Sequence, residues 1–362
     1  LSGLSANTTY FLMVAAVNHS GLSTSYSALG STATPALPPA SAASTFSAVA
    51  QGTLSAAWSA NGNPSGTRYD AVVSTEAALD LSHAGNVAVS TAPLGAPSAD
   101  FAGLAANATY FLFVRAVGHS GAPTAYQALG STVTLVYAPA SVASTFSPVG
   151  LAGASAFWSA NGNSPGTRYE AVLSTASPLV ASHAGNVSVT TEPVGAPEAV
   201  FSGLSSDSTY YLFVAAFNRA GSPTAYVGLG STVTLAAPPA TAANSFPAVE
   251  RSSMTAAWSG NGNGPGTLYE LLLSTETPLI GTHAGNVGAS SAPVGALFAV
   301  LSGLTANTTY FAFARSVSRG GSPTAYVALG STATLAASPA AGTTFLSVST
   351  GVLSVGWSTR RT

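Results

Sequence analysis

Gly-Leu recurs at Gly3, Gly103, Gly203 and Gly303, a step of 100 residues each time. Tyr10, Tyr110, Tyr210 and Tyr310 keep that step, as do Pro39, Pro139, Pro239 and Pro339. Tryptophans fall at Trp58, Trp158, Trp258 and Trp357, the last interval being one residue shorter. Self-similarity at roughly 20–50 residues marks a solenoid or propeller. A period near 100 instead matches one complete small domain. The 362-residue chain is therefore read as three whole units, 39–138, 139–238 and 239–338. Residues 1–38 are expected to hold only the last strands of a further unit, and 339–362 only the first two.

Within a unit the pattern is β throughout. In the second whole unit, 154–159 alternates around Phe157 and Trp158, and 169–174 is rich in Val and Leu. Residues 199–202 are short and apolar, and 208–218 place Tyr210, Leu212, Val214 and Ala216 at a period of two. Asn-Gly-Asn, Pro-Gly-Thr and Ala-Gly-Ser segments between them supply turns and positive φ. Short strands separated by turn signals mean a sandwich or barrel, and no stretch keeps a 3.6-residue period with caps, so no long helix is expected.

Three recurring motifs give this pattern a family likeness. Each unit has a tryptophan in its second strand, and the whole units have a tyrosine in the third: Tyr69, Tyr169 and Tyr269, the last following Leu268 where the others follow Arg. A Leu-x-x-x-Thr-x-Tyr run covers Leu4–Tyr10, Leu104–Tyr110, Leu204–Tyr210 and Leu304–Tyr310, with Ala108 and Ser208 varying inside it. The chain resembles tandem fibronectin type III domains of a bacterial extracellular type. That resemblance implies an all-β fold of fibronectin type III or immunoglobulin-like sandwiches. It also implies that the run is a tyrosine corner, in which the phenol bonds back to upstream backbone. On this reading Trp58, Trp158, Trp258 and Trp357, with Tyr10, Tyr110, Tyr210 and Tyr310, are structural residues. A fold says little about function.

Composition narrows the function. Charged residues are only 6% of the chain, against about 25% in ordinary globular proteins. The nine basic residues are all arginine and the net charge is −2. Nucleic-acid and anionic-membrane binding both need clustered positive charge, so neither is expected. Membrane insertion is not expected either, since no apolar run reaches the ~18 residues of a spanning helix. Absent lysine also excludes a phosphate-binding Gly-x-x-x-x-Gly-Lys loop. Absent cysteine removes disulfides, thiolate metal sites and thiol nucleophiles together. Small Ala, Gly, Ser and Thr residues in place of Lys point to an extracellular, secreted or cell-surface protein.

No constellation for catalysis appears. His83, His183 and His283 recur once per unit in His-Ala-Gly-Asn-Val, yet a metal needs three or four donors; they read as loop histidines bonding locally. Asp70, Glu170 and Glu270 occupy one position per unit, with Arg68 and Arg168 two residues earlier. Residues i and i+2 share a strand face, so these read as exposed ion pairs, not as the facing carboxylates of a glycosidase. No cofactor is implied. Asn7, Asn18, Asn107, Asn186 and Asn307 stand in Asn-x-Ser/Thr context. Turn geometry explains Asn7, Asn107 and Asn307, since Asp207 fills the same slot.

The strand after the tyrosine corner is apolar on both faces. Its second face carries Phe11 and Met13; Phe111 and Phe113; Tyr211, Phe213 and Phe217; and Phe311 and Phe313. A sheet with one wet face alternates apolar and polar, so this face is expected either to self-associate or to be covered by the long segment between the third and fifth strands. Low charge favours association, and repeated patches on a heterologous contact give fibres. The expected function is a non-catalytic extracellular array, a homo-oligomer or homopolymer building a surface or filament assembly. The alternative is a set of spacer or binding modules of a large secreted enzyme or adhesin.

Overall fold

The computed structural model describes residues 1–90, 97–191, 197–290 and 296–358, and among these no helix occurs. The chain opens with β1 (Thr9–Val14) and β2 (Ser27–Ala33), an antiparallel hairpin. The first whole unit follows as β3 (Ala40–Ser47), β4 (Thr53–Ser59), β5 (Arg68–Ser74), β6 (Val87–Ser90), β7 (Ser98–Ala102), β8 (Thr109–Val117) and β9 (Gln127–Val133). Its strands form two antiparallel sheets, β3-β4-β7 and β6-β5-β8-β9. The second whole unit repeats this three-on-four arrangement, and the third does so with its first strand split into Ala240–Thr241 and Ala248–Val249; the strand order is that of fibronectin type III sandwiches in an all-β tandem array.

Alternation decides which side chains meet between the sheets. Leu54, Ala56 and Trp58 of β4 face Tyr69, Ala71 and Val73 of β5 and Tyr110, Leu112, Val114 and Ala116 of β8 in one buried cluster. The Trp58 and Tyr69 rings meet edge to face at 5.6 Å, a favoured aromatic geometry. The other two whole units hold matching clusters around Trp158 and Trp258. Register along β8 and β9 slips once, between Leu112 and Phe113. Gly130, beside the slip, takes φ +126°, a region L side chains rarely enter. Gly30, Gly230 and Gly330 do the same.

Val136 packs into the core of the sandwich that follows it. Trp357, expected as a structural core residue, is 66% exposed. It lies on a hairpin of Ala340–Ser349 and Val352–Ser358, and among the described residues no second sheet lies across it.

Candidate functional site

The densest polar chemistry lies where one sandwich meets the next. It begins at the tyrosine corner. The hydroxyls of Tyr10, Tyr110, Tyr210 and Tyr310 each accept from the backbone N–H five residues upstream, at 2.8, 2.9, 2.9 and 3.0 Å. The bond pins a turn whose third-from-tyrosine residue sits at φ 47–54° as Asn7, Asn107, Asp207 or Asn307. Short Asx side chains tolerate that left-handed conformation.

The turn does more than turn. Asn107 is fully buried. Its Nδ2 donates to Thr167 Oγ1 at 2.8 Å, and its Oδ1 accepts the Arg219 backbone N–H at 2.7 Å. Both partners belong to the next sandwich. Asn7 makes the same pair, to Thr67 Oγ1 at 2.9 Å and from the His119 N–H at 2.6 Å. Asp207 accepts from Thr267 Oγ1 at 2.6 Å and from the Arg319 N–H at 2.7 Å. Asn307 makes no such pair among the described residues and is exposed.

A second amide grips the connecting backbone. Asn63 accepts from Leu37 N–H at 2.8 Å and donates to Leu37 C=O at 2.7 Å. Asn163 does this to Tyr137 and Asn263 to Ala237. Asn61, Asn161 and Asn261 donate to the carbonyls of Pro38, Ala138 and Pro238. The Asn-Gly-Asn triplet, legible as a turn, is thus also a clamp. Its signal was the strict recurrence of both asparagines where one would satisfy a turn.

The Asn-x-Ser/Thr sites divide accordingly. In Asn7 and Asn107 the amide nitrogen that a glycan would substitute is the atom bonded across the joint. Asn18 is exposed, and its Oδ1 caps the Ser20 and Leu22 N–H groups. Asn186 is half-buried and donates to Val180 C=O at 2.9 Å.

The loop histidines bond locally. His83, His183 and His283 Nε2 lie 2.8, 2.6 and 2.8 Å from the Thr75, Thr175 and Thr275 hydroxyls. Nδ1 of His83 and His283 faces Glu76 and Glu276 at 3.5 and 3.6 Å.

The second face of β8 and its counterparts, expected either to self-associate or to be covered within the unit, is buried at its centre. Phe113, Phe213 and Phe313 are buried, at 5, 9 and 7% exposure, while Phe111, Tyr211, Phe217 and Phe311 are half-buried. Phe113 lies between Val72 of β5 and Ala128 of β9 in the register. On the β1–β2 hairpin, where Met13 has Ala28 opposite but no strand stands in the place of β5 among the described residues, Phe11 and Met13 are open, at 73 and 57%.

The ion pairs on this face also differ from expectation. Asp70 pairs with Arg115, directly opposite on β8, at 2.9 Å, not with Arg68. Glu270 pairs with Arg315 at 2.5 Å. Arg168 turns away from Glu170 and stacks on Phe217, its Cζ 4.3 Å from the ring centre.

Comparison with protein-family models and with curated proteins finds no match. Among solved structures, the FN1–FN3 domains of chicken CNTN1 align over 83% of this chain and 100% of theirs, at 14% identity and a TM-score of 0.27.

Proposed function

We propose that the chain is a non-catalytic, extracellular structural array of bacterial type, in which sandwiches locked end to end form a stiff element of a cell-surface or filamentous assembly. The observation carrying this reading is the joint, made three times from equivalent residues, with its connecting backbone bonded on both sides. A flexible array would leave that backbone to water. Each nine-residue strand spans about 30 Å at ~3.3 Å per residue, so three docked sandwiches make a rod of roughly 90 Å. The scarcity of charge supports contact between such rods. Burial of Phe113, Phe213 and Phe313 favours surfaces other than the centre of the β8 face for that contact.

Small-angle scattering and electron microscopy at neutral pH test both levels. Straight rods of constant length are expected, associating into fibres or sheets as concentration rises. Beads at variable angles would overturn the rod. Straight rods that stay single at every concentration would instead support the second reading, a fixed-length spacer in a larger secreted protein, which the same joint favours.

A further inference from the structure

The three whole units treat one position differently. In the first, the Arg115 guanidinium bonds Asp70 at 2.9 Å and lies 4.8 Å above the Tyr126 ring. In the third, Arg315 bonds Glu270 at 2.5 Å and lies 4.6 Å above Tyr326. The second unit keeps the carboxylate and the ring, Glu170 and Tyr226, in the same register, but Ala215 stands opposite Glu170 where the others carry arginine. Its neighbour is trimmed as well: Gly228 replaces Ala128 and Ala328 against the buried phenylalanine, 3.5 Å from where a Cβ would lie. Glu170 has no ion-pair partner among the described residues. Its available donor is the Tyr226 phenol, whose pKa rises to about 12 through burial first, then through the hydrogen bond to Glu170 and its charge. Tyr226 is 40% exposed, so the pair is reachable from solvent.

We propose that this face of the second unit is a receptor site for an arginine side chain of a partner protein, its guanidinium pairing with Glu170 and stacking on Tyr226 as Arg115 and Arg315 do in the sister units. Charge favours the exchange: the carboxylate trades a neutral phenol donor for a charged one, and charge-assisted hydrogen bonds are the stronger kind. Chemistry selects arginine over lysine. A planar, weakly hydrated guanidinium both forks onto a carboxylate and stacks on a ring, whereas an ammonium is a compact, strongly hydrated point charge. The inference is independent of whether the array is a filament or a spacer.

The full chain, isotope-labelled at tyrosine, is titrated with N-acetyl-arginine amide and, separately, with N-acetyl-lysine amide. A saturable shift of the Tyr226 ring resonances with the arginine probe is expected, with Tyr126 and Tyr326 unmoved and lysine binding weaker. Ala215→Arg fills the site from within and abolishes the shift; the sister units show that arginine at this register folds. Glu170→Gln keeps the volume and weakens binding about fivefold. Absence of a saturable Tyr226 shift, equal response to lysine, or undiminished binding by Ala215→Arg or Glu170→Gln overturns the proposal.

Discussion

The β1–β2 hairpin and the β8–β9 pair have nearly the same sequence and the same register, including the slip beside Gly30 and Gly130. They differ in burial. Leu12 is 51% exposed and Leu112 is fully buried. The tyrosine corner nevertheless closes in both, Tyr10 to Ser5 and Tyr110 to Ala105, and Asn7 still reaches the next sandwich. Turn, corner and joint are therefore local or junctional devices. The core is a property of two facing sheets. The C-terminal hairpin repeats the lesson with Trp357.

Core tryptophans give the largest test. Trp158→Ala should destabilise its sandwich by about 3–5 kcal/mol, whereas Trp357→Ala should fall within roughly 0.5 kcal/mol; calorimetry of the two variants breaks the comparison if they match. The joint comes next. Asn107→Gly keeps the backbone conformation but orphans the Arg219 N–H and one bond of Thr167, at about 1–3 kcal/mol. Asn307→Gly, at the open junction, should change little. Chemical denaturation reads the energies, and scattering reads any loss of straightness.

Smaller still is the corner. Tyr110→Phe and Tyr10→Phe each remove one phenol acceptor, worth about 1 kcal/mol. The corner predicts similar local losses of amide protection in both regions, seen by hydrogen exchange. The smallest effect is a titration. Because Tyr226 ionises only near about 12 when folded, its contribution is full below the ordinary phenol value near 10 and is lost as pH rises through 12. Burial also raises Tyr69, Tyr126, Tyr169, Tyr269 and Tyr326, so an ultraviolet titration should show several late tyrosines, of which Tyr226 moves earlier in Glu170→Gln.

Much of this was legible in the sequence. The 100-residue step set the unit, and the Leu-x-x-x-Thr-x-Tyr run identified the corner. Alternation told which faces of β4, β5 and β8 are apolar. It did not tell that Phe113 is buried at the centre of the second face of β8, between Val72 and Ala128, because neighbours on other strands are set by register. The partner of Asp70 was hidden for the same reason: sharing a face with Arg68 matters less than standing opposite Arg115. The joint was hidden because every member has a sufficient local explanation as a turn residue. Its bonds span 60 and 112 residues, beyond any local pattern.

Each complete sandwich carries the Asx of the joint at one end and, at the other, the Thr and backbone N–H that receive the Asx of the sandwich before it. The joint therefore contains no record of how many sandwiches a chain should have. A gene that gains or loses a whole 100-residue segment by recombination between its near-identical repeats would still encode a chain in which every internal joint is made. A gain or loss of any other length would break one. Such a gene is free to vary the length of its product in whole steps.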